Sequence, residues 1–254
     1  MEQPALFYYD ESFEGFLTAC SSALAQPEGL VELRKTTGGP EGLFQNERRI
    51  RTDRVAAMDL WHSLGKKGTA FQRLVYFSFL SEREGVERKL LTFIRQVLGR
   101  YTEKWTIGNA DPPATLARWA GQVACERRRL ETSLSFQNPK EGVFAGVIAP
   151  EHNVLPLLSR QLRYRFRGNS WMVYDRRRDR VLWAQEGSPL FLERLVHCPA
   201  AVRSMVREMH PFPGYSGEHL TPGFPGREAS FPMERDGYSS PHPEKPHRAY
   251  QEAV

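Results

Sequence analysis

Cysteine is scarce in this chain. Three residues, Cys20, Cys125 and Cys198, scattered over 254 positions do not make a disulfide framework. There is no Cys-x-x-Cys and no His-Glu-x-x-His. His197-Cys198 offers two adjacent ligand types without a second pair at ligand spacing, so no metal site is expected. Long apolar runs are absent too, and nothing approaches the roughly 18 residues that a membrane helix needs. The opening Met1-Glu2-Gln3-Pro4 lacks the basic and apolar regions of a signal peptide. The expectation is a cytoplasmic chain with no membrane partner. Gly-x-Ser-x-Gly is missing. Gly65-Lys66-Lys67 ends like a phosphate loop, but Leu60 stands where the first glycine belongs. Gly38 to Gly42 lacks the dinucleotide spacing, so no cofactor is expected either.

Lysine is also rare. Of 35 basic residues only 7 are Lys and 28 are Arg, against 30 acids. The net charge of +5 and pI near 9.2 are therefore carried by guanidinium groups. These contact phosphate bidentately and stack on bases. Hydrophobic residues at 40% and charged residues at 26% are enough for a packed core.

Composition divides the chain into one domain over residues 1–209 and a tail over 210–254. Pro211 to Val254 holds 8 of the 18 prolines and 5 of the 20 glycines and keeps no helical or strand period, so it is expected to be disordered. Within the domain, residues 5–10 suit a strand. Phe13, Phe16, Leu17, Cys20 and Leu24 follow at helical spacing, with Asp10 or Ser12 as the cap. Thr52 or Asp53 caps a helix carrying Val55, Met58, Trp61 and Leu64. Leu74–Leu80, Val86–Val97 and the segment after Asp111-Pro112-Pro113 continue a helical middle.

Val143–Ala149 then reads as a buried strand and Asn153–Phe166 as a helix. Trp171–Tyr174 and Val181–Ala184 read as a β-hairpin with a charged tip. Ser188-Pro189 is expected to open a further helix reaching His197, and Val202 to Met209 another. The fold class is α+β: a helical middle, a small antiparallel sheet that the N-terminal strand joins, and the Pro/Gly-rich tail.

The most distinctive feature lies between Arg160 and Arg180, where eight arginines face two acids. Arg163, Arg165, Arg167, Arg176, Arg177, Arg178 and Arg180 are the candidate nucleic-acid contacts. Arg163, Arg165 and Arg167 end the predicted helix and are expected to line the same side as Arg176, Arg177 and Arg178 of the hairpin tip. Arginine supplies the phosphate contacts that fix position. Tyr164, Phe166, Trp171 and Tyr174 are interleaved, and exposed aromatics stack unpaired bases. The alternative is a solvated arginine face with the aromatics in the core. Among carboxylates, Asp10 suits a helix cap or a catalytic role, Glu14 sits in a first helical turn, and Asp175 and Asp179 bracket a turn.

Two stretches resemble a known family. Tyr9-Asp10-Glu11-Ser12-Phe13-Glu14-Gly15-Phe16-Leu17 is similar to its opening Tyr-Asp-Gly-Ser-Phe-Glu-Gly-Leu-Leu. Gly142 to Gly187 resembles its later core through Pro150-Glu151-His152-Asn153-Val154, Arg165-Phe166 and Trp171-Met172-Val173-Tyr174-Asp175. The family is a bacterial domain of unknown function associated with DNA repair and DNA metabolism. It is found beside a radical-SAM protein with a DNA-binding helix-hairpin-helix, or fused to uracil-DNA-glycosylase-like proteins. The chain departs from it at Glu11, where the family has Gly. It also departs after Met209, where His210-Pro211-Phe212-Pro213 replaces a Pro-x-x-Tyr-Trp segment.

The resemblance implies DNA lesion processing, and together with the arginine-rich 160–180 region the expectation is a DNA-binding accessory protein whose partner, of radical-SAM or glycosylase type, carries the chemistry. Two other readings stay open. One is a stand-alone enzyme acting on a nucleobase or DNA end through Asp10, Glu14 or His152. The other is a scaffold whose arginine surface meets an acidic protein.

Overall fold

Ala5–Tyr9 forms β1, with Phe7 and Tyr9 buried and Tyr8 at the surface between them. The computed structural model describes residues 5–26, 31–36, 47–99, 112–140, 142–185 and 190–209. The expected tail, residues 210–254, lies outside these, as do Asp111, Ser188 and Pro189.

After β1 come α1 (Phe13–Leu24), β2 (Val31–Lys35) and β3 (Glu47–Arg49). Strand β1 is central in a three-stranded sheet ordered β2-β1-β3 and pairs in parallel with both neighbours. This corrects the expectation that the N-terminal strand joins the later antiparallel sheet. A 12-residue helix follows β1 and returns the chain to the end where β1 began, so β2 enters parallel.

Helices α2 (Arg54–Lys67), α3 (Thr69–Phe79), α4 (Val86–Val97) and α5 (Pro112–Ser133) complete the helical half. Asp53 caps α2 by accepting from the N–H groups of Val55 and Ala56. Gly68, at φ 145, separates α2 from α3 in a backbone conformation that side-chain-bearing residues rarely adopt. The core of this half is aromatic. The Phe13 ring meets Trp61 at 5.3 Å, Tyr76 at 4.7 Å and Phe79 at 5.2 Å between centroids.

The second half is a five-stranded sheet: β4 (Gln137–Lys140), β5 (Val143–Ile148), β6 (Ser170–Asp175), β7 (Arg180–Ala184) and β8 (Phe191–Arg194), in that order. Neighbours are antiparallel except β5 and β6, which run parallel. Their crossover is a 3-10 turn, Leu155–Leu158, continued by α6 (Ser159–Arg165). It was expected as one helix from Asn153; Pro156 sits in the first turn of the 3-10 segment. On one face of the sheet Trp171, Val173 and Leu182 pack against Leu155, Leu158 and Leu162. On the other, Met172, Val181 and Trp183 pack against Val202 and Val206 of α7 (Ala200–Met209).

Strand β8 replaces the helix expected to run to His197. Phe191–Arg194 pairs with β7, and only Leu195–His197 turns, as a single 3-10 turn. The reason is a period of two. Leu190 and Leu192 belong to the α6 side of the sheet and Phe191 to the α7 side, where its ring stacks on Trp183 at 4.6 Å. The α+β class, the helical middle and the hairpin are as the sequence indicates. No helix among the described residues is long and apolar enough to cross a membrane.

Candidate nucleic-acid interface

The crossover places the first arginines. Leu158, Leu162 and Phe166, four apart, are buried, so α6 turns Arg163, Tyr164 and Arg165 outward, and Arg167 is exposed just beyond it. The guanidinium carbon of Arg165 sits 5.0 Å from the Phe136 ring centroid and 5.3 Å from that of Phe166. That of Arg167 sits 5.6 Å from the Tyr164 ring. Tyr164 itself is 77% exposed. Residues 159–169 contain no Asp or Glu, so the segment itself carries only positive charge. Arg163 makes no ion pair among the described residues. Trp171, Tyr174 and Phe166 are core residues. The aromatic available for stacking is Tyr164, and the i, i+4 spacing of its buried neighbours was the signal that singles it out.

The hairpin tip is a separate place. β5 and β6 run parallel, with Ile148 opposite Asp175. Helix α6 therefore leads back from the tip end of the sheet to the start of β6. Arg165 and Arg167 lie at one end of β6 and Arg176 and Arg177 at the other, about 17 Å apart along five strand steps. The run that is continuous in sequence is thus two patches, not one side.

Asp175 is 0% exposed and organises the tip. It accepts from the backbone N–H of Arg177 at 2.9 Å and of Arg178 at 3.3 Å, as a turn-forming Asp does. Burial pushes its carboxyl up, against the pull of the Arg178 charge and these N–H donors.

Arg176 and Arg177 are exposed. Arg178 is not. Its side chain is 11% exposed. It donates to Glu82 at 2.7 Å, to Asp175 at 3.2 Å, and to the carbonyls of Pro150 at 3.2 Å and Glu151 at 2.8 Å. Arg180 donates to Glu11 at 3.3 Å. Of the seven candidate arginines, Arg178 and Arg180 are thus spent on joining the two halves of the fold, because carboxylates of the helical half face them. Arg163, Arg165, Arg167, Arg176 and Arg177 remain presented to solvent.

The N-terminal motif builds the other candidate location. Chain order takes the sheet from β1 to β2 on one side and then to β3 on the other, so the carboxyl ends of β1 and β3 flank a topological switch point. Asp10 follows β1 and Thr52 follows β3, and the Thr52 hydroxyl donates to Asp10 Oδ2 at 2.7 Å. Asp10 Oδ1 accepts from the Ser12 N–H at 3.2 Å and from the Ser12 hydroxyl. Ser12 is the cap proper, accepting from the Gly15 N–H at 2.9 Å. A Cβ on Gly15 would lie 2.1 Å from Asp10 Oδ1, so the glycine of the motif makes room for this carboxylate.

Glu11 has φ 63, the left-handed region that favours glycine and costs another residue about 1 kcal/mol or more. Glu14 is half-buried in the first turn of α1. His152 is buried. Its N–H donates to Glu126 Oε2 at 2.8 Å and its ring Nδ1 lies 3.3 Å from the Ser81 carbonyl. Asp10 thus meets Ser12 and Thr52, and His152 meets Glu126 and Ser81. Cys198 is buried, and burial pushes its thiol up to about 12.

A family model described as a domain of unknown function (DUF4130) matches residues 84–231. The match takes in the crossover, the ledge and the hairpin, begins after the N-terminal motif, and runs past the 209/210 boundary drawn from composition. No curated protein matches the chain.

Proposed function

We propose that this chain, which belongs to the DUF4130 family, is a DNA-binding accessory protein of DNA repair or metabolism. The observation that carries the reading is the carboxylate-free ledge of Arg163, Arg165 and Arg167 beside an exposed Tyr164. Guanidinium groups on a fixed helix that make no ion pair among the described residues give a non-specific phosphate-binding surface. Arg176 and Arg177 at the tip add a second. In this reading a partner of radical-SAM or uracil-DNA-glycosylase-like type supplies the chemistry, as the resemblance in the N-terminal motif and later core implies.

A second reading, a stand-alone enzyme on a nucleobase or DNA end, is favoured by one observation: Asp10 is exposed at the switch point, where open parallel sheets place their ligands. The two are separated by incubating the purified chain with DNA. Binding with recovery of unaltered DNA supports the first. Conversion of the DNA, abolished by Asp10→Asn in a folded variant, would replace it with the second.

A further inference from the structure

We infer that the ledge takes an unpaired base of single-stranded DNA on the Tyr164 ring, with the flanking arginines on its phosphates. This rests on the DNA-binding reading and adds the strand state.

Tyr164 is 77% exposed, one of two large hydrophobic residues so exposed among the described residues. The buried series Leu158, Leu162 and Phe166 already supplies the apolar face of α6, so Tyr164 has no packing duty. Its ring is a flat surface of the kind on which bases stack. In a duplex each base face is covered by its neighbours, so an aromatic side chain on a helix meets only groove edges and phosphates. The ring face has a use when the base is unpaired.

The charges fit that occupant. Arg167 stands over the same ring at 5.6 Å, which leaves its N–H donors for a phosphate beside the stacked base. Arg165 is held against Phe136 and Phe166, so its position is fixed before a strand arrives. Arg163 lies one residue before the tyrosine. No carboxylate in residues 159–169 opposes the backbone of the strand.

The test uses the full chain and fluorescence anisotropy with a labelled oligothymidylate, an oligouridylate and a DNA duplex of the same length. Tyr164→Ala should weaken oligothymidylate binding by about tenfold, the scale of one lost base stack. It should weaken duplex binding far less and leave the melting temperature unchanged, and Tyr164→Trp should restore the single-strand affinity. Equal oligothymidylate binding by the wild type and Tyr164→Ala would overturn the inference while leaving the DNA-binding reading standing. Tighter binding of the oligouridylate would overturn the assignment to DNA. No binding to any of the three would remove the reading itself and favour an acidic protein partner.

Discussion

Arg178→Ala should destabilise the protein by about 3–5 kcal/mol, the scale for removing one partner of a buried ion pair. The arginine sits in a run that reads as a solvated tip, yet its side chain is 11% exposed and meets Asp175, which is 0% exposed, at 3.2 Å. The same guanidinium reaches Glu82 on the turn after α3 and the carbonyls of Pro150 and Glu151. Truncation leaves a buried carboxylate without its counter-charge and two carbonyls without their donor. For a domain of this size the melting temperature should fall by roughly 10 °C.

The loss should depend on pH. Burial already raises the Asp175 carboxyl, and without Arg178 it rises further. A carboxyl raised in the folded state makes stability fall as pH increases from its unfolded value of about 3.9 through the folded one. The deficit of the variant should therefore be full near neutrality and shrink toward pH 4, where Asp175 needs no partner. A variant that melts with the wild type at neutral pH would show that the guanidinium is solvated after all.

Phe16→Ala should cost about 3–5 kcal/mol as well, through a cavity rather than a charge. Phe16 is 0% exposed and ties three elements together. Its ring lies 5.8 Å from Tyr9 on β1, 6.2 Å from Phe13 on its own helix and 5.1 Å from Phe79 on α3. Tyr9 is itself fixed, donating its hydroxyl to Glu87 at 3.0 Å, so it cannot relax into the space. Denaturant unfolding should show a lower midpoint at unchanged slope. A cost under about 1 kcal/mol together with lost binding would make the motif a contact surface instead of packing.

The parts of the fold legible in sequence are those where one apolar period holds long enough. Phe13, Phe16, Leu17 and Cys20 mark α1, and Trp171–Tyr174 with Val181–Ala184 mark the hairpin. The short polar strands β3 (Glu47–Arg49) and β4 (Gln137–Lys140) carry no such pattern. They exist because a neighbouring strand has a free edge. At Phe191–Arg194 the Ser-Pro signal points to a helix, and the four-residue alternation there takes its meaning only from the free edge of β7.

The arginine cluster was legible as composition but not as placement. Which guanidinium groups are spent is decided by Glu82, more than 90 positions upstream of Arg178, and by Glu11, 169 positions from Arg180. No local pattern contains that information.

The most direct test of the DNA-binding account is the salt dependence of duplex binding by the wild type and by the Arg163→Ala, Arg176→Ala, Arg177→Ala triple variant. These three arginines make no ion pair among the described residues, so the variant should fold normally. With five arginines on phosphates, log K should fall against log salt with a slope of about −4 to −5, and the variant should flatten it by about 2–3 units. A folded triple variant with the affinity and slope of the wild type would contradict the account and leave the arginines as a solvated face.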